Sequence, residues 1–206
     1  METGGTSCST AGSAYRKGMH PHLHAVIADL ESAQRRLDGL AARVLADRWS
    51  IRADPNRWSV GECVAHLNIT SKAFLPDFLR ALADPTPKGA PPAHRYRMGL
   101  VGGLLYRVVG PPMRLFGMTL TMRVKTQASF VPSGDLPRET TIAEFGALQR
   151  ELMEIVRQSD GLPIDRVRVT SPFDKRASYN MYAALAIVPR HQHRHLEQAE
   201  DVWGGT

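Results

Sequence analysis

Eight histidines and two cysteines are the residues of this chain best suited to metal or nucleophile chemistry. Three histidines stand near the start (His20, His22, His24) and three near the end (His191, His193, His195), while His66 and His94 are isolated. The terminal group lies in the run Arg190–His191–Gln192–His193–Arg194–His195–Leu196–Glu197–Gln198. On a helix His191 and His195 are i and i+4, so both rings leave one face and can close on one ion. His193 is turned by roughly 200° from His191 at about 100° per residue and cannot join them. The stripe of His191 and His195 also carries Ala184, Val188 and Val202, so the pair faces a core. Imidazoles there need hydrogen-bond partners or an ion, and spacing alone leaves both open. H-x-x-x-H without the glutamate of H-E-x-x-H does not indicate a metalloprotease. A third ligand must come from elsewhere, and His66 is the best candidate, with Glu62 one turn before it and Thr70 one turn after. Cys8 and Cys63 are too few for a disulfide framework or a Cys-rich zinc site.

The elements that must position these groups are helices. Apolar residues at i, i+3, i+4 and i+7 predict a first helix from about His22 to Arg48. Ser59 and Glu62 form a capping-box signal that opens a second helix running to about Ala83, with Pro76 expected to bend or shorten it. A third long helix is predicted from about Thr141 to Ser159, ended by Gly161 and Pro163. A fourth runs from about Ser178 to Trp203 with a kink at Pro189. Between the second and third lies a long irregular stretch, Asp84 to about Arg138, in which a short helix from Arg97 to Val108 is plausible and MRVKTQASF has the partial alternation of extended chain. Connections of this length are usually functional or disordered. The expectation is an all-α four-helix bundle with a long irregular insertion between helices 2 and 3. Residues 1–19, rich in Gly, Ser and Thr, read as a flexible tail, and 20–206 as the bundle domain.

Composition narrows the function classes. The chain has 206 residues, 26 Lys+Arg and 20 Asp+Glu, a formal charge of +6. The basic residues form no block of five or six like charges, and no RNP, zinc-finger or basic-zipper pattern is present, so no specific nucleic-acid partner is expected. The apolar stretch Met98–Leu120 is interrupted by Arg107, Arg114 and Pro111–Pro112, so no transmembrane segment is expected. A lid, a core segment, a partner-binding patch or a surface contact with a membrane stay open for it. No apolar signal-peptide region is seen, and the expected localisation is cytoplasmic with reduced cysteines.

Three segments coincide in order: RWSVGECVAHL at the start of helix two, the linker RVTSPFDKRASYNMYAAL, and VPRHQHRHLEQ in the last helix. Together they resemble the DinB-like superfamily of metal-binding four-helix bundles, which includes YfiT-type metal hydrolases and thiol-dependent transferases. The resemblance spans roughly His22 to Trp203. It implies that His66, His191 and His195 are metal ligands, with one position left for water or substrate. It implies a divalent ion, zinc or nickel foremost, and in the transferase case a low-molecular-weight thiol. The implied function is a metal-dependent hydrolase or thiol-dependent transferase acting on a small-molecule substrate. The alternative is a non-catalytic, stress-associated metal-binding module, working as a homodimer. Glu62 is a candidate for orienting His66 or relaying protons, and Arg123 and Lys125 for neutralising an anionic substrate or cofactor. No carboxylate announces itself as general base.

Overall fold

The computed structural model describes residues 18–85, 94–111, 113–115, 118–120, 126–132 and 137–204. The tail reading for residues 1–19 lies almost wholly outside them. Five α-helices occur among the described residues: α1 (Pro21–Arg43), α2 (Val60–Ala83), α3 (Gly99–Val108), α4 (Arg138–Gln158) and α5 (Met181–Gly204). The all-α expectation holds. The described residues also include four short strands that the sequence pattern does not predict; β1 (Met113–Leu115) pairs antiparallel with β2 (Met118–Leu120), and β3 (Arg168–Thr170) with β4 (Ser178–Asn180).

Local chemistry sets the helix ends. Pro21 occupies the first turn of α1, where a missing N–H costs nothing, and His20 Nδ1 accepts from the His22 amide at 3.1 Å. Helix α1 stops at Arg43, five residues short of the expected end, because Val44 turns extended and a 3-10 turn at Ala46–Arg48 redirects the chain. That turn brings Trp49 (1% exposed) beneath the start of α2, where its carbonyl accepts from Gly61 N at 2.8 Å. A Cβ on Gly61 would stand 2.6 Å from Trp49 Nε1, so glycine is required there. The predicted capping box opens α2: Glu62 N donates to Ser59 Oγ at 3.1 Å, and Ser59 N to a Glu62 carboxylate oxygen at 2.8 Å. Neither Pro76 nor Pro189 ends its helix; α2 and α5 run through them. Helix α5 starts at Met181, because Ser178–Asn180 is the second strand of a hairpin. Asn180 Oδ1 accepts from Ala183 N at 2.8 Å, an N-cap, while its Nδ2 donates to the Arg97 carbonyl at 2.7 Å.

The four long helices form a ring in which α1 and α2 each pack against both α4 and α5. Two apolar clusters fill it. One includes Leu23, Ile27 and Leu30 of α1, Phe74 and Phe78 of α2, Leu152 and Val156 of α4, and Leu185 and Val188 of α5. The other takes Ala33 to Leu40 of α1, Val60 to Leu67 of α2, Phe145 of α4, and Leu196 and Ala199 of α5. Helices α1 and α5 therefore run one way and α2 and α4 the other. The α2–α4 connection must travel the length of the bundle, about 36 Å for a 24-residue helix. Topology thus explains the long insertion, and α3, packed along α5, covers part of the distance.

Between the clusters lies a polar layer. Gln149 and Gln192 exchange side-chain amide hydrogen bonds of 3.1 and 3.0 Å, Gln149 Nε2 also donates to the Leu30 carbonyl at 2.8 Å, and Gln192 Nε2 to Ser71 Oγ at 3.4 Å. All four long helices meet in this network. Gln149→Leu strands the Gln192 amide and should cost about 1–3 kcal/mol in urea denaturation. The Gln149→Leu/Gln192→Leu double variant should lose less than the sum of the two single variants.

Candidate metal centre

Beside the polar layer, α2 contributes His66 and α5 contributes His191 and His195. The three offer ligand nitrogens that all lie within 4.8 Å of one another. Their ring centroids are 5.2 Å apart for His66–His191, 4.5 Å for His66–His195 and 4.6 Å for His191–His195. Among the described residues no thiol or carboxylate joins the group. Cys63, one turn before His66, points into the core, where burial pushes its thiol up to about 12 and keeps it protonated.

Two rings are held by their far nitrogens. His66 Nδ1 donates to the Phe130 carbonyl at 2.7 Å, and His195 Nδ1 to Gln198 Oε1 at 3.1 Å. With Nδ1 as donor, a neutral ring keeps its lone pair on Nε2, the arrangement that outer partners of ligating histidines impose. Trp58 lies over two of the rings, 4.9 Å from His66 and stacked at 5.9 Å on His195, and Phe173 lies 6.2 Å from His191. His66 is 3% exposed, while His191 and His195 are partly exposed to a cavity of about 1270 Å³. One wall of the cavity is apolar, including Leu105, Val108, Phe130 and Ile187; Arg57, Asp174, Arg194 and Glu197 also line it.

The histidines missing from the centre have other tasks. His193 points toward α1, near Asp29 and Arg36. His20 and His22 are partly buried: His20 lies 4.2 Å from Tyr96, and His22 stacks on Tyr182 at 5.4 Å. His24 and His94 are exposed. Glu62 is engaged away from the rings, accepting from the Arg52 guanidinium and from the Ser59 amide, which, Arg52 foremost, hold its carboxyl below the usual range. Thr70 Oγ1 donates to the His66 and Leu67 carbonyls of its own helix. Arg123 and Lys125 lie outside the described residues. The ring-orienting groups, Phe130 and Gln198, and the stacking Trp58 were given no role from sequence. Gln198 was within reach of pattern reasoning, being i+3 from His195 on a helix.

Electrostatics favours uncharged rings. Burial first, then the neighbouring His195 and His66, hold His191 well below the ordinary imidazole range. Burial, with smaller contributions from His66 and Arg194, brings His195 down to about 3. Burial also lowers His66, partly opposed by its bond to Phe130. Three unprotonated nitrogens within 4.8 Å of one another fit a divalent ion without any proton having to leave first. In the unfolded chain each ring takes up a proton near pH ~6.5. The unfolded state then binds more protons below that pH, so these groups' contribution is present above it and lost as pH falls toward the folded values. The thermal midpoint of metal-free protein should therefore drop from pH 7 to pH 4, and His195→Gln should flatten that dependence.

A profile of the DinB superfamily matches residues 29–199, a span containing all three histidines of the centre. Comparison with curated proteins and with solved structures found no match. With five-sixths of its length covered, and with the helical bundle and the histidine group in place, the chain belongs to the DinB superfamily.

Proposed function

We propose that this protein is a metal-dependent enzyme acting on a small molecule, as a hydrolase or as a transferase that activates a low-molecular-weight thiol. The observation that carries the reading is the convergence of three uncharged imidazoles on a large cavity with no fourth protein ligand beside them among the described residues. Structural sites close their coordination with protein, whereas catalytic sites keep a position open. His66, His191 and His195 would hold the divalent ion, zinc or nickel foremost. Such an ion polarises a carbonyl and lowers the pKa of a bound water or thiol. The Phe130 carbonyl and Gln198 orient two of the rings. The apolar wall excludes water and takes the body of the substrate, while Arg57 presents a cation to an anionic group and Arg194, donating to the Val108 and Gly110 carbonyls, ties the end of α3 to α5 beside it. Glu62 acts at one remove, by capping the helix that carries His66.

Elemental analysis of untagged protein tests the centre. The expected result is about one equivalent of metal in the wild type and none in His191→Ala, and full loading of that variant would sink the assignment. Gln198→Leu should weaken metal affinity roughly 10- to 100-fold with helicity retained. Turnover of ester, amide or thiol-conjugate substrates, lost with chelator and restored by the ion, supports the enzyme. Full loading with a flat substrate screen replaces it by the non-catalytic metal-binding module.

A further inference from the structure

We infer that α3 is an interfacial helix that docks the protein on an anionic membrane surface. The inference is independent of the metal centre and rests on three observations.

The first is the two-sidedness of α3. Its inner face is clamped to α5: a Cβ on Gly102 would stand 2.4 Å from the Ala183 Cβ, so the two backbones run in close contact. Leu105 and Val108 line the cavity. Its outer face carries Leu100 at 95% exposure, Leu104 at 64% and Val101 at 49%. Leu100, Leu104 and Arg107 follow one another at i, i+4 and i+7, forming one stripe along the helix. A helix held this firmly presents its outer leucines as a fixed ridge.

The second is charge. The 50 residues from Pro85 to Gly134 contain seven of the 26 Lys+Arg and none of the 20 Asp+Glu. The other 156 residues carry 19 basic against 20 acidic, so this one stretch holds the whole positive excess of the chain. Arg95 and Arg97, just before α3 in sequence, and Arg107, on the stripe of Leu100 and Leu104, are exposed. Apolar residues bracketed by arginines are what an interfacial helix offers to anionic lipid.

The third is geometry, which removes the competing occupants. A 10-residue helix is about 15 Å long, half a hydrocarbon core, and no helix of the described residues is long and apolar enough to cross a membrane. A second copy docked through the same ridge would bring like charges together. Nucleic acid would engage the arginines and leave the leucines in water.

The test is co-sedimentation of the full chain with vesicles of 1:1 phosphatidylglycerol and phosphatidylcholine, against pure phosphatidylcholine vesicles, over a range of salt. Binding to the anionic vesicles alone is expected, weakened at least tenfold in Leu100→Ser/Leu104→Ser. Arg97→Gln and Arg107→Gln should each weaken it roughly fivefold. Leu45→Ser, at an exposed leucine after α1, should leave binding unchanged, and the thermal midpoints of all variants should match the wild type. Absence of binding to anionic vesicles would overturn the inference. So would binding indifferent to the leucine pair, which is charge attraction alone. A wild-type dimer in sedimentation velocity that Leu100→Ser/Leu104→Ser dissociates, without vesicle binding, would assign the ridge to self-association instead.

Discussion

The paired amides of Gln149 and Gln192 set the register on which everything else in this bundle depends. Apolar side chains tolerate sliding and rotation, because one contact substitutes for another. Buried amides do not: each has a small number of donors and acceptors, and an unmatched one is costly. Here they bind a carbonyl of α1, a hydroxyl of α2 and each other across α4 and α5. A one-residue slip of α5 would rotate Gln192 by about 100° and break the network. His191 is its immediate neighbour, so the constraint that aligns the helices also aligns the pair of α5 rings with His66.

The chain direction of the four helices has a second result. Since α2 and α4 run the same way, the connection between them cannot be a tight turn. It passes along α5 as α3 and then returns to α2, where Phe130 meets His66. The segment that topology obliges the protein to carry therefore also builds one wall of the cavity and completes the environment of one ring.

How much of this was legible in sequence follows from the range of the interactions. The i, i+4 relation of His191 and His195 is local, and so is the Ser59–Glu62 capping box; both are read from spacing. His66 has no partner nearby in sequence; its place on the second helix makes it the best candidate for a third ligand, and the motif shared with a family then implies the role. The acceptor for His66 is a backbone carbonyl 64 residues away, and a carbonyl has no residue type to betray it. Hairpin β3–β4 escaped notice because three-residue strands have no periodicity to detect. The apolar stripe continues through Val44 and Leu45 and predicts a longer α1 than the one that forms, although Leu45 is 63% exposed. Net charge conceals its own distribution. Summed over the chain it is modest, and its placement in one acid-free stretch appears only when the sign is followed along the sequence.

The bond from His66 to the Phe130 carbonyl changes what kind of loop this is. Surface connections usually accept insertions and deletions, because nothing depends on where their middle lies. In this one a single main-chain oxygen has to arrive at a fixed point, whatever side chain residue 130 bears. Side chains along the stretch can therefore change without touching the bond, whereas an insertion or deletion beside Phe130 would carry its carbonyl away from His66 and release the tautomer of a histidine on another helix.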